Sequence, residues 1–209
     1  MTINPKDVVL PEESDLNSIK EMTMFLLDLD RWSSNVSLYG RAIEAATTPA
    51  DVISVLSRAD TLSAINLMFP KMSRDDLSTA LATAWVMSEA PNMDANMSKA
   101  QAVRLFKICN PEKMMDEEDL EAYKQLPDEV TVYRGLGTFN ATNIKALSWT
   151  LDAEQAKWFA NRFDFGQGNG KVYRATIKRK YIFAYFNERQ EHEVIVDYNR
   201  LKNIELVAD

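Results

Sequence analysis

Cysteine and histidine are each present once in the 209-residue chain. The lone Cys109 excludes an internal disulfide and any multi-cysteine metal site. With His192 as the only imidazole, carboxylates alone remain as metal ligands, so no metal site is expected. The opening residues, MTINPKDVVLPEESD, have neither a basic start nor an apolar stretch, so no secretory signal is expected. No apolar run is long enough for a membrane span. These absences point to a cytoplasmic protein that takes no membrane partner. Positive charge is scarce as well. The net charge is −7, and residues 1–128 carry 12 Lys and Arg against 21 Asp and Glu, a net of −9. That acidic half disfavours nucleic acid as a partner. Residues 129–209 carry 12 against 10, a net of +2, which leaves room for an anionic ligand.

What is present suffices for a core: 46% of residues are hydrophobic and 26% charged. The first part reads as helices. In DLNSIKEMTMFLLDLDRW the apolar residues Met22, Phe25, Leu26, Leu29 and Trp32 recur at helical spacing and predict one buried face. Thr48 before Pro49, and Ser73 three residues before Asp76, predict helix starts. The run Asp116–Asp119 reads as a solvated helix start, where the helix dipole favours negative charge. After Pro127 the pattern changes to short β-rich runs, EVTVYRG, IKALSWT, KVYRATIKR, YIFAYF and EVIVDY. One helix, DAEQAKWFANRF, interrupts them, with Asp152 as its N-cap. Helices followed by strands predict an α+β protein. Residues 1–127 form the helical region and 128–209 the β-rich one. The glycine-rich FGQGNGKVY runs into a strand instead of opening a helix, so it is a loop, here Phe163–Gly170, and not a dinucleotide fingerprint.

Four short pieces carry chemistry. In VTVYRG a strand ends in Arg134, able to bind phosphate bidentately, and Gly135, able to let a ligand approach the backbone. In LSWT, alternation puts Ser148 and Thr150 on one face and Trp149 on the other. Phe159 and Arg162 fall one helical turn apart. In EHEVIV, Glu191 and Glu193 lie two apart before an apolar run, which in a strand turns both to one face and His192 to the other. Two carboxylates side by side are unfavourable unless solvent, a cation or a substrate uses them. Taken singly, each piece also has a plain structural explanation. These are a salt-bridged surface arginine, an edge hydroxyl, a core phenylalanine, a solvated arginine, a solvated strand end and a hydrogen-bonded histidine.

Taken in order, Y-R-G, then S-x-T running into a helix with F-x-x-R, then E-x-E before an apolar strand, resembles the R-S-E branch of the mono-ADP-ribosyltransferases. This is the cholera-toxin-like and clostridial binary-toxin-like group, which also includes arginine-specific ecto-enzymes and phage enzymes. The resemblance spans about residues 128–205 and departs from the family at Trp149, where a small residue or Thr is usual. It implies a mixed β-sheet core, two packed sheets around an NAD cleft. It also implies NAD as co-substrate and an acceptor protein, with arginine as the acceptor side chain that E-x-E accompanies. Arg134 would then grip the NAD phosphates and Gly135 would offer backbone groups to nicotinamide. Ser148 would orient the catalytic Glu193, Phe159 would stack on nicotinamide, and Arg162 would add a phosphate contact. Glu191 would activate the acceptor from a loop at about Phe186–Gln190. The alternatives are NAD glycohydrolysis, transfer to a nucleic acid or small molecule, and an inactive interaction protein.

Overall fold

A computed structural model describes residues 8–29, 36–88, 90–94, 97–162 and 170–207. Contacts divide the chain into one unit ending at Met114 and another beginning at Met115. The first unit is helical: α1 (Leu16–Leu29), α2 (Val36–Ala45), α3 (Pro49–Ile53), α4 (Thr61–Met68), α5 (Arg74–Met87), α6 (Lys99–Ile108) and α7 (Pro111–Met114). Its starts follow local chemistry. Thr48 and Asp51 form a reciprocal capping box at α3, and the Ser73 hydroxyl accepts from the Asp76 N–H at α5. Trp85 of α5 meets Phe106 of α6 edge to face, with ring centroids 5.0 Å apart. The buried stripe of α1 differs from the one its apolar spacing predicts. Ile19, Thr23 and Leu27 are buried, and Phe25 is 61% exposed. Thr23 is tolerated inside because its hydroxyl donates to the Met68 sulfur. Trp32 and the side chain of Leu29 lie outside the described residues.

The second unit begins with α8 (Glu117–Gln125) and continues through β1 (Glu129–Leu136), β2 (Ser148–Thr150), α9 (Ala153–Asn161), β3 (Lys171–Lys178), β4 (Ile182–Phe186), β5 (Glu193–Val196) and β6 (Lys202–Leu206). The change of composition at Pro127 marks where helices give way to strands, whereas the packed unit starts earlier. Within this unit, the Tyr123 hydroxyl on α8 donates to the Ile182 carbonyl, 3.1 Å away. The strands form one six-stranded sheet in the order β4-β5-β2-β1-β3-β6, and every pairing is antiparallel. The protein is therefore α+β. Among the described residues one antiparallel sheet stands where the resemblance implies a mixed sheet and two packed sheets.

The topology has one crossover of consequence. β2 and β3 both run antiparallel to β1 and flank it, so they point the same way. The helix joining them, α9, must cross over β1, which makes a split βαβ unit. The crossing is close. A Cβ built on Gly135 would stand 2.0 Å from the Ala156 carbonyl oxygen and 2.5 Å from the Ala160 nitrogen. Gly137 and Gly170 are likewise closed off by the Ala160 carbonyl. Ala156 and Ala160, one turn apart and buried, are the small residues that permit this contact. The close approach that the sequence assigns at Gly135 to a ligand is thus taken on this side by helix α9.

Gly135→Ala should destabilise the unit by about 3 kcal/mol or more, as overpacking against immovable backbone does. Ala156→Gly should not rescue it, because the clash is with a main-chain oxygen. Urea unfolding of the two single variants and the double variant checks this.

Candidate active site

The sheet is built from two three-stranded halves that meet at β1 and β2. β1 pairs with β3 along its whole length, from Glu129 opposite Lys178 to Leu136 opposite Lys171. It pairs with β2 only where Tyr133 faces Thr150. Arg134 is the next residue, and its side chain bridges the opening. Its Nε donates to the Asn143 carbonyl at 3.2 Å, and its Nη1 donates to the Ser148 carbonyl. Burial pushes the guanidinium down to about 10, and the nearby Glu193 carboxylate opposes that shift. It therefore remains a cation at neutral pH. Two of the five guanidinium N–H donors serve main-chain oxygens, and the others are what an anion could use.

Across the joint, β2 pairs with β5: Ser148 opposite Ile195, Trp149 opposite Val194 and Thr150 opposite Glu193. Ser148, Thr150 and Glu193 therefore share a face, with Ser148 on the diagonal to Glu193, about 7–8 Å between Cα atoms and within side-chain reach. Ser148 and Glu193 are both half-buried. Trp149 turns to the other face, is buried, and donates its indole N–H to the Ala146 carbonyl at 3.0 Å. The large residue at the middle of the serine motif is thus packed behind the strand.

Glu191 departs from the sequence expectation. β5 begins at Glu193, and His192 has a φ of 47°. The pleat that would turn Glu191 and Glu193 to one face is broken between them. Gln190 is also left-handed, with φ 57°. A non-glycine residue in that region costs about 1–2 kcal/mol, so two in three residues need outside support. The support is visible. The Thr150 hydroxyl donates to the Glu191 carbonyl at 2.7 Å, and the Leu151 N–H to the His192 carbonyl at 3.0 Å. His192 Nδ1 lies 2.8 Å from the Tyr185 hydroxyl. Asn187, at the start of the loop, accepts the His192 N–H on its side-chain oxygen at 3.1 Å. The Asn187 N–H in turn donates to the Asp119 carboxylate of α8, 3.2 Å away.

Asp119 corrects the reading of its acidic run. Asp116 caps α8 as expected, but Asp119 is buried and reaches the loop. Burial pushes its carboxyl up; the Asn187 N–H acts against that, and Asp116, Glu118 and Glu188 reinforce it. No short motif marks Asn187, Tyr185 or Asp119 as parts of one site, because they meet only when α8 packs beside the β4–β5 loop.

Phe159 and Arg162, at the end of α9, both contact Trp158. Phe159 is half-buried and edge-on to Trp158, with centroids 5.1 Å apart. Arg162 stacks its guanidinium over Trp158 at 5.2 Å. Of the expected loop Phe163–Gly170, all but Gly170 lies outside the described residues. Among the described residues, no helix is long and apolar enough to cross a membrane. Comparison of the chain with family models, curated proteins and solved structures found no match.

The Asp119 carboxyl is raised in the folded state, so the fold holds that proton more tightly than the unfolded chain does. Its contribution to stability falls as pH rises from the ordinary carboxylate range through the raised value. Asp119→Asn removes the charge and keeps an oxygen for the Asn187 N–H. The variant should be more stable than the native chain at neutral pH, with the gap closing as pH is lowered into the acid range. Urea unfolding at a series of pH values checks the sign; a pH-independent gap would count against it.

Proposed function

We propose that the chain is an NAD-dependent mono-ADP-ribosyltransferase that moves ADP-ribose to arginine on an acceptor protein and releases nicotinamide. One observation carries this reading: a half-buried cation, Arg134, a serine, Ser148, and a carboxylate, Glu193, gather where the sheet halves meet at a single pair. These are the three residues on which the sequence resemblance turns.

The chemistry asked of them is consistent with their surroundings. Nicotinamide leaves with the electron pair of its bond to the ribose, and positive charge develops on the sugar, as in glycoside hydrolysis. A fixed carboxylate at Glu193 stabilises that charge as it forms. Its place in the β5 ladder, opposite Thr150 and Phe186, holds it without reorganisation. Arg134 remains charged at neutral pH and can use its uncommitted N–H groups on the diphosphate. A nitrogen of the acceptor guanidinium then bonds to the ribose carbon, and its proton passes to Glu191 and on to water.

Hydrolysis of NAD by the same site is the second reading. It is favoured by the turn at His192, which frees the direction of Glu191 from the strand pleat that orients Glu193. Water would then replace arginine as the nucleophile.

Adenylate-labelled NAD offered with a bacterial lysate tests both readings. Protease-sensitive label is expected with the native chain. Glu193→Gln should lower label transfer and NAD consumption together by about 100-fold or more, as loss of a transition-state charge contact does. Glu191→Gln should lower transfer about 100-fold and NAD consumption far less. NAD consumption without label selects hydrolysis, and neither activity defeats the proposal.

A further inference from the structure

We propose that Asn187 is a positioning residue that fixes the direction of Glu191 relative to Glu193. The inference rests on the ADP-ribosyl transfer reading, and under it Asn187 governs whether ADP-ribose goes to an acceptor or to water.

Asn187 opens the loop between β4 and β5, a loop closed by Phe186 opposite Glu193. The Asn187 carbonyl accepts from the Gln190 N–H at 2.8 Å, and its side-chain oxygen accepts from the His192 N–H at 3.1 Å. Its own N–H is anchored on Asp119, outside the loop, at 3.2 Å. Gln190 and His192 are two of the three non-glycine residues with positive φ among those described, and Glu191 lies between them. One residue therefore receives the N–H groups of both left-handed positions, and the peptide joining Glu191 to His192 is held at its N–H by Asn187 and at its carbonyl by Thr150.

The two carboxylates differ in how they are held. Glu193 belongs to the β5 ladder, which does not involve Asn187. Glu191 depends on the loop. Without the Asn187 side-chain oxygen, His192 loses the bond that offsets its left-handed backbone, and the preceding peptide, left with the Thr150 bond alone, rotates more readily. That rotation swings Glu191 and leaves Glu193 in register. A misplaced acceptor-activating group slows attack by the acceptor more than it slows departure of nicotinamide.

The test compares Asn187→Ala, Asn187→Gln and Asn187→Asp, with agmatine as a small guanidine acceptor. NAD consumed and ADP-ribosyl-agmatine formed are measured together. Asp keeps an oxygen at the same distance along the side chain, whereas Gln moves it by one methylene. The ratio of transfer to hydrolysis should fall about ten-fold in the Ala and Gln variants and stay within about two-fold in the Asp variant. An unchanged ratio in a folded Ala or Gln variant overturns the inference, and so does an equal loss of both activities. Should Ala fail to fold, the Gln and Asp pair decides. Hydrogen exchange at the His192 amide gives a readout that needs no NAD. It should speed up in the Ala and Gln variants and not in Asp, and unchanged exchange overturns the positioning role. A native chain that consumes no NAD defeats the functional reading instead, while the exchange result still shows whether Asn187 holds the turn.

Discussion

The half-buried guanidinium of Arg134 is the interaction on which the sheet and the candidate site both depend. β1 and β2 share only the Tyr133–Thr150 pair, too little to hold two half-sheets by ladder bonds. Arg134 closes the gap by donating to two carbonyls, at Asn143 before β2 and at Ser148 within it. Withdrawing an arginine from water is unfavourable unless its charge is balanced, and Glu193 on the far side of β2 contributes that balance. Structural closure and the gathering of opposite charges are thus one event. Removing Glu193 would leave a half-buried cation without its counter-charge, so effects of its variants on stability and on chemistry must be measured separately.

Around this joint, the fold fixes positions by backbone contacts more than by side-chain fit. Helix α9 lies against the bare backbone of Gly135 and Gly137 because β2 and β3 flank β1 and the connection has to cross it. The crossing needs alanines on the helix and glycines on the strand. The stretch Tyr133–Arg134–Gly135 therefore combines a ladder partner, a charge and a space for the helix in three consecutive residues.

The β4–β5 loop shows the opposite strategy. There the backbone is held in an intrinsically unfavourable conformation at Gln190 and His192 by bonds from Asn187, Thr150 and Leu151. Strain of this kind persists only where surrounding structure over-determines it. Asp119 adds a buried carboxylate to the anchor, at a desolvation cost that its raised protonation equilibrium records. A rigid strand presents Glu193 and a tied loop presents Glu191, so the two acidic groups of E-x-E owe their geometry to different parts of the molecule.

Sequence by itself determined what is local. Thr48, Ser73, Asp116 and Asp152 cap their helices because a side chain reaches an N–H only two or three residues ahead. The division into helices and then strands, the opposite faces of Ser148 and Trp149, and helix α9 between β2 and β3 follow from periodicity over a few residues. Tertiary structure decided whatever depends on a distant partner. The buried stripe of α1 runs through Thr23 because Met68 receives its hydroxyl. Asp119 leaves the solvent because Asn187 comes to it, and Gly135 serves a helix that returns across the sheet. Glu191 leaves the face of Glu193 because His192 turns left-handed, a choice made by an oxygen five residues earlier and two groups on another strand's end. Hydrophobic pattern is read within one element, whereas register, backbone handedness and the burial of charge are set by which elements meet.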